Sequence, residues 1–171
     1  MADPILTGER VVLRPASDGD IERLRAILQE PSVARWWGPP PPQGVAEDWL
    51  ATGPDDRVFV IELDGVVIGS IQYAEENTPD YRHAGIDLFL TTSAQGQGIG
   101  PDAIRTVARY LIDARGHHRL TIDPSAANER AIRAYSKLGF RPVGVMRQYE
   151  RGADGTFHDG LLMDLLADEL T

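Results

Sequence analysis

The run Gln95-Gly96-Gln97-Gly98-Ile99-Gly100 is where this chain could hold an anion. Glycine lets the backbone approach a ligand closely, and the first N–H groups of a helix have no partner within it. At the start of a helix, near the positive end of its dipole, such a loop suits a phosphate or pyrophosphate. A plain tight turn would use the same residues. It is not a Walker loop, because Gly98-Ile99-Gly100 runs into Pro101 instead of Lys-Ser or Lys-Thr. Nor does an acidic residue close a suitably placed second strand, as a dinucleotide ribose would require. Two carboxylates also stand out. Asp87 sits between Ile86 and Leu88, so strand alternation puts it on the opposite face from both. Asp123 precedes Pro124 at a strand end, where a turn former would serve equally well. Tyr135 lies on the apolar stripe of a helix that Asn128 opens in a capping position, and Trp36 and Trp37 adjoin four consecutive prolines. Glu75, Glu76 and Asp80 form an acidic stretch within the expected loop Ala74–Tyr81.

The elements that must position these residues follow from periodicity. Glu9–Pro15 reads as a first strand. Ser17 and Asp20 make a capping box for a helix with Ile21, Leu24, Ile27 and Leu28 on one face, ending near Pro31. Gly38–Gly44 is a proline loop, and Val45–Leu50 resumes a short helix. Val58–Leu63 and Val66–Tyr73 are strands joined by the tight-turn pair Asp64-Gly65, and Ala84–Leu90 is a third. After the glycine run, Ile99, Ala103, Ile104, Val107, Leu111 and Ile112 form the apolar stripe of a long helix. Leu120–Ile122 is a short strand, a helix carrying Ala131, Ile132, Tyr135 and Leu138 stops at Gly139, and Phe140–Glu150 with Phe157–Leu166 closes the chain as a hairpin. That order indicates a mixed α/β domain spanning residues 1–171.

Composition narrows the partners. The chain of 171 residues has 26 acidic against 17 basic side chains, a formal charge of -9. A phosphate backbone wants a basic surface, so nucleic acid is not the expected partner. An acidic cleft would gather cations, although a solubilising surface accounts for the same surplus. No apolar run reaches the ~20 residues of a membrane span, and Met1–Thr7 lacks a basic-then-apolar leader pattern. A cytoplasmic protein is expected. Cys is absent, which removes thiol nucleophiles and cysteine-held zinc. None of the four histidines has a partner at metal-site spacing, so no metal is assigned.

Gln95-x-x-Gly98-x-Gly100, after an apolar strand and opening an amphipathic helix, resembles the pyrophosphate-binding motif of the GNAT superfamily of acyl-coenzyme A-dependent N-acyltransferases. Asn128-x-x-Ala131-x-x-x-Tyr135-x-Lys137-x-Gly139-Phe140 is similar to that family's second motif. Within the family, Val33–Gly38, Gly85–Leu90 and Thr121–Ser125 resemble the aminoglycoside 6′-N-acetyltransferases. Gly155–Met163 looks more like the branch that acetylates ribosomal proteins and small amines. The resemblance implies an α/β (α+β) fold with a central mixed, mostly antiparallel, seven-strand sheet and about four flanking helices. Acetyl-coenzyme A is the implied co-substrate. Leu88, Leu90, Gln95, Gly96, Gln97, Gly98, Ile99, Gly100, Asn128 and Tyr135 would hold it.

The implied reaction is attack by an amine on a thioester. It asks for a group to take a proton from the ammonium and a group to return one to the thiolate. By the resemblance, Asp87 is the base and Tyr135 the donor near the sulfur. Asp123 would grip a second amine, Trp36 and Trp37 would wall the acceptor cleft, and Glu75 and Glu76 would extend its acidic patch. The expected acceptor is a small polycationic amine, with an aminoglycoside as the leading example. Two alternatives stay open: an acceptor that is a protein N-terminus or lysine, and a non-catalytic acyl-coenzyme A-binding module.

Overall fold

The computed structural model describes residues 3–39, 50 and 52–171. Most of the proline loop and of the expected helix Val45–Leu50 falls outside them. Among the described residues, eight strands form one sheet in the order β1-β2-β3-β4-β5-β6-β8-β7. These are β1 (Leu6–Thr7), β2 (Val12–Pro15), β3 (Asp56–Leu63), β4 (Val66–Glu76), β5 (His83–Leu90), β6 (Arg119–Ile122), β7 (Arg141–Arg151) and β8 (Phe157–Leu166). The helices among the described residues are α1 (Ile21–Leu28), α2 (Pro31–Trp37), α3 (Ile99–Arg109) and α4 (Glu129–Lys137).

The eighth strand corrects the expected count of seven. The strand read as Glu9–Pro15 begins only at Val12, and the additional strand, β1, lies before it at Leu6–Thr7. Asp102, on α3, accepts the backbone N–H groups of Glu9, Arg10 and Val11 at 3.0, 2.9 and 3.1 Å. Three bonds to one carboxylate curl the chain there, so the short β1 folds back on β2. Helix α2 is a second addition. As expected, α1 ends near Pro31, at Leu28, and Pro31 itself opens α2, where its missing N–H is no loss. The Asp64-Gly65 turn forms as expected, with both residues at positive φ (51° and 77°) in the manner of a two-residue hairpin loop.

The sheet packs apolar side chains on both faces. Ile99, Ala103, Ile104, Val107 and Leu111 of the long helix and its π-helical continuation are at most 1% exposed against one face. Leu24, Ile27 and Val33 cover Val60 and Phe89 on the other. Each fully buried Leu or Ile contributes roughly 1.5–3 kcal/mol, so the stripe spacing that predicts the helix also explains its docking.

One pairing shapes the site. Every neighbouring strand pair is antiparallel except β5 and β6, which run parallel and pair only at Ala84↔Leu120 and Gly85↔Thr121. Beyond Gly85 the two strands part, and Pro124, which has no N–H to donate, follows the end of β6. The sheet is split there.

Candidate active site

The split opens a cleft of about 820 Å³ between the second half of β5, the glycine loop and α4. At its inner end it shares Asp87, Asp123 and Tyr149 with a second cavity of about 560 Å³, lined by β3, β4 and the C-terminal hairpin. The two spaces meet at these three side chains.

At the outer end, Gly98 takes φ 78° and begins α3, so the loop turns with a left-handed residue that glycine adopts freely. Gly96 (φ 73°) leaves room for a neighbour: a β-carbon there would lie 2.7 Å from Arg130 Nη2. Gln95 Nε2 donates to the Leu90 carbonyl at 3.0 Å, tying the loop to the end of β5. Arg10 Nη1 donates to the Gln97 carbonyl at 2.6 Å from the other side. Asn128 caps α4 by accepting the Ala131 N–H at 3.2 Å. Gly96, Gly98, Gly100, Gln95, Leu88, Leu90, Asn128 and Tyr135 all line this cleft. Gln97 and Ile99 do not. Gln97 Nε2 donates back to the Ser93 carbonyl, and Ile99 is fully buried in the core. Their side chains serve the loop's shape.

Three cations of α4, Arg130, Arg133 and Lys137, also line the cleft, with Arg130 beside Gly96 of the glycine loop. With that loop they offer the kind of donors that a polyphosphate chain requires. The sequence reading gave Lys137 only as part of the second motif and assigned no role to Arg130 or Arg133, although the i, i+3, i+7 spacing on one helix face was a readable signal.

At the inner end, alternation along β5 sends Asp87 and Phe89 to the face away from Ile86 and Leu88, as expected. The Asp87 side chain is exposed where the two cavities meet. Desolvation by the protein around the cleft, with the charge of Asp123 second and of Glu150 after it, pushes its carboxyl up to about 7. The Leu88 N–H bonds Asp87 Oδ1 at 2.9 Å and offsets part of the rise. Tyr135 projects from α4 into the same cleft, its ring 6.4 Å from Phe140. Burial, then the charges of Asp87 and Asp123, raise its phenol well above the ordinary value, so it keeps its proton and remains a donor. Trp36 and Trp37 line the wall from α2. Trp37 is also packed edge-on against Phe89, 5.0 Å between centroids, so it anchors the core as well.

Two further inner residues were not anticipated. The Tyr149 hydroxyl bonds the Asp123 carboxylate, and this bond, with the Asp123 charge, pushes the phenol up to about 12. Glu150 joins Asp87 and Asp123 at the cleft, its carboxyl raised first by desolvation and then by Asp123. No pattern in β7 marks either residue, because an irregular strand turns them inward.

Glu75 and Glu76 are corrections. Glu75 is three residues from Gln72, the direct partner of Asp87, and therefore points to the opposite face of the sheet. There it is buried and held by Arg115 Nη2 at 2.7 Å and His117 Nε2 at 2.7 Å. Burial would raise its carboxyl, but these two partners hold it at about 2. Glu76, at the exposed end of β4, accepts the Thr78 N–H at 2.7 Å. Neither lines either cavity, and both belong to a strand, not to the expected loop. Among the described residues, no three His, Asp or Glu side chains are grouped to hold a metal ion, and no helix is long and apolar enough to cross a membrane.

Comparison with known proteins agrees with this geometry. Residues 10–141 match the family described as acetyltransferase (GNAT) domain. The chain is 27% identical over 158 residues to spermidine N(1)-acetyltransferase of Escherichia coli K12, covering 90% of this chain and 84% of that one. It is 28% identical over 159 residues to aminoglycoside N(6′)-acetyltransferase type 1 of Klebsiella pneumoniae, covering 82% and 78%. In fold it is similar to Mycobacterium smegmatis RimJ, solved in complex with CoA-disulfide, with a TM-score of 0.84, 24% identity and coverage of 98% and 89%. A sheet split beside a glycine-rich helix start, joined to a family match over most of its length, leads to one conclusion: this chain belongs to the GNAT family and is an acetyl-coenzyme A-dependent N-acetyltransferase.

Proposed function

We propose that the acceptor is a small polycationic amine, a linear polyamine or an aminoglycoside, acetylated in the cytoplasm on one primary amine. The observation that carries this reading is the convergence of Asp87 and Asp123 where the two cavities meet, with Glu150 near them in the larger cavity. Three carboxylates so placed repel one another, and a molecule carrying several ammonium groups relieves that repulsion. The relatives named above, which act on spermidine and aminoglycosides, support the same class.

In the proposed mechanism the outer end of the cleft receives acetyl-coenzyme A, which supplies an activated acyl group. Arg130, Arg133 and Lys137 with the glycine loop would hold its phosphates, and the open edge of β5 at Leu88–Leu90 would align its arm. Asp87 orients the reacting ammonium and takes its proton. A carboxyl near 7 is a far better base than an ordinary one, yet still ionises at neutral pH. Tyr135, kept protonated, donates to the sulfur that leaves. Asp123 and Glu150 hold the acceptor's remote charges, and Trp36 and Trp37 close the side of the cleft.

The test is a panel of acceptors at saturating acetyl-coenzyme A: a linear triamine, an aminoglycoside, a monoamine with a neutral tail, and a short peptide with a free N-terminus. The polycations should give the highest kcat/KM, and added salt should weaken them more than the monoamine, since screening acts on every ionic contact. Preference for the peptide would replace this reading with protein N-acetylation. Coenzyme binding without turnover of any amine would make the chain a binding module.

A further inference from the structure

The C-terminal hairpin is distorted beside the acceptor end of the cleft. Between the pairs Met146↔Gly160 and Glu150↔His158, the three residues Arg147, Gln148 and Tyr149 stand opposite the single Asp159. Extra residues in one strand bend it and re-aim the side chains they carry. Gln148 absorbs the distortion with φ 48°, left-handed backbone that a residue with a β-carbon adopts at a cost. Such a conformation persists only where its surroundings hold it. The holder here is Asp159, whose Oδ1 accepts the Gln148 N–H at 2.8 Å. Asp159 is fixed in turn. Its carbonyl accepts the Ala126 N–H at 2.9 Å, Gly160 bridges Ser125, and the Leu161 N–H donates to the Pro124 carbonyl at 2.9 Å. These bonds fasten β8 to the loop that leads from Asp123 to Asn128.

Gly160 supplies the second half of the arrangement. A β-carbon at Gly160 would lie 2.9 Å from Tyr149 Cδ1 and 3.4 Å from Cγ, so the Tyr149 ring rests directly on a backbone without a side chain. From that seat its hydroxyl reaches Asp123, and the next residue, Glu150, faces into the cleft.

We infer that Asp159-Gly160 is a positioning device for the acceptor site: Asp159 holds the left-handed turn at Gln148, Gly160 seats the ring of Tyr149, and together they present Tyr149 and Glu150 to Asp123. Asp159 lines neither cavity and acts only through the backbone of β7. This role deepens the acceptor reading given above and rests on it for the identity of the amine. It assigns the hairpin pair Asp159-Gly160 to acceptor affinity.

The experiment compares variants of the full chain at saturating acetyl-coenzyme A. Asp159→Ala should raise KM for the acceptor about tenfold, the effect of losing one ~1.4 kcal/mol constraint, with coenzyme affinity unchanged. Asp159→Asn keeps an oxygen to accept the Gln148 N–H and should stay near the wild-type KM. Glycine takes left-handed backbone unaided, so Asp159→Ala combined with Gln148→Gly should recover most of the lost affinity. Gly160→Val should displace the Tyr149 ring and raise KM with Asp159 intact. An unmoved KM in Asp159→Ala overturns the inference. So does a fall in melting temperature and coenzyme affinity together that Gln148→Gly does not repair, because that pattern marks general structural damage. Amide NMR of Asp159→Ala gives a reading that needs no turnover: the Tyr149, Glu150 and Asp123 peaks should shift, and stationary peaks would refute the positioning role. The KM arms use whichever amine the wild type acetylates best. A wild type that prefers a monoamine or a peptide therefore refutes the polycation reading and leaves the positioning test standing.

Discussion

The ionisation of Asp87 decides whether the inner carboxylates do chemistry or only attract cations. Desolvation is the largest influence on it, Asp123 the next, and the result is a carboxyl at about 7. A base with that constant is about 10% ionised one pH unit below it and about 90% one unit above. In the proposed mechanism, kcat/KM therefore falls about tenfold per pH unit on the acid side, with the bend near 7. Asp123→Asn removes one upward push and leaves the desolvation, so the bend should move acidward yet stop above the ordinary carboxylate value of ~3.9. Asp87→Asn should abolish the bend and lower turnover by ~10²–10⁴-fold. The chain has no cysteine, so a thiol reagent reads the released coenzyme alone. Two acceptors of different amine basicity serve as the control, because a bend that belongs to the enzyme does not follow the acceptor. A bend near pH 4, one that tracks the acceptor, or one that survives Asp87→Asn would refute the assignment. Stability gives the same group a second signature. Its folded value lies above the unfolded 3.8, so the native state binds the proton more tightly and loses stability as pH rises from 3.8 toward about 7. Asp87→Asn should accordingly melt above the wild type at pH 8, and the gap should close toward pH 4.

Tyr135→Phe removes a hydroxyl and keeps the ring against Phe140, so melting should be nearly unchanged while the chemical step slows by ~10²-fold or more; a wild-type rate in single-turnover measurements would return Tyr135 to packing alone. Asp102→Ala strands three backbone N–H groups at the bend between β1 and β2 and should cost about 3 kcal/mol in urea unfolding, where a loss under ~0.5 kcal/mol would show that water replaces the carboxylate without penalty.

What the sequence made legible was local. The stripe from Ile99 to Leu111, the Asp64-Gly65 turn and the outward face of Asp87 each follow from spacing over a few residues, and each stands in the structure as read. What it hid depends on distant partners. The bend at Glu9–Val11 is set by Asp102, over 90 residues away. Glu75 looked like Glu76 and Asp80 in composition. Its place beside Arg115 and His117 follows from strand register and from a burial that no count of charges reveals. Tyr149 and Glu150 were hidden for a third reason. A strand with surplus residues breaks the period of two, and alternation then says nothing about which side chains face the cleft.

The two ends of the cleft differ in sign, and that difference bears on how one opening could serve two substrates. Arg130 stands beside the glycine loop at one end, with Arg133 and Lys137 farther along α4, while Asp87, Asp123 and Glu150 gather at the other end. A chain with a formal charge of -9 repels a polyphosphate at long range, so local cations must overcome that field at the outer end. Helix α4 and the start of α3 provide them there with side-chain and backbone donors. The same overall charge favours the approach of an amine cation, and the inner carboxylates need only select and orient it. In the proposed reaction the charges are thus sorted before any bond changes: the anion has no stable seat among the carboxylates, and a polycation has none beside the arginines. The split between β5 and β6 is what makes room for both ends, since continued pairing beyond Gly85 would close the gap with backbone. The short parallel pairing, the feature of the sheet that costs it hydrogen bonds, is therefore the one on which the site depends.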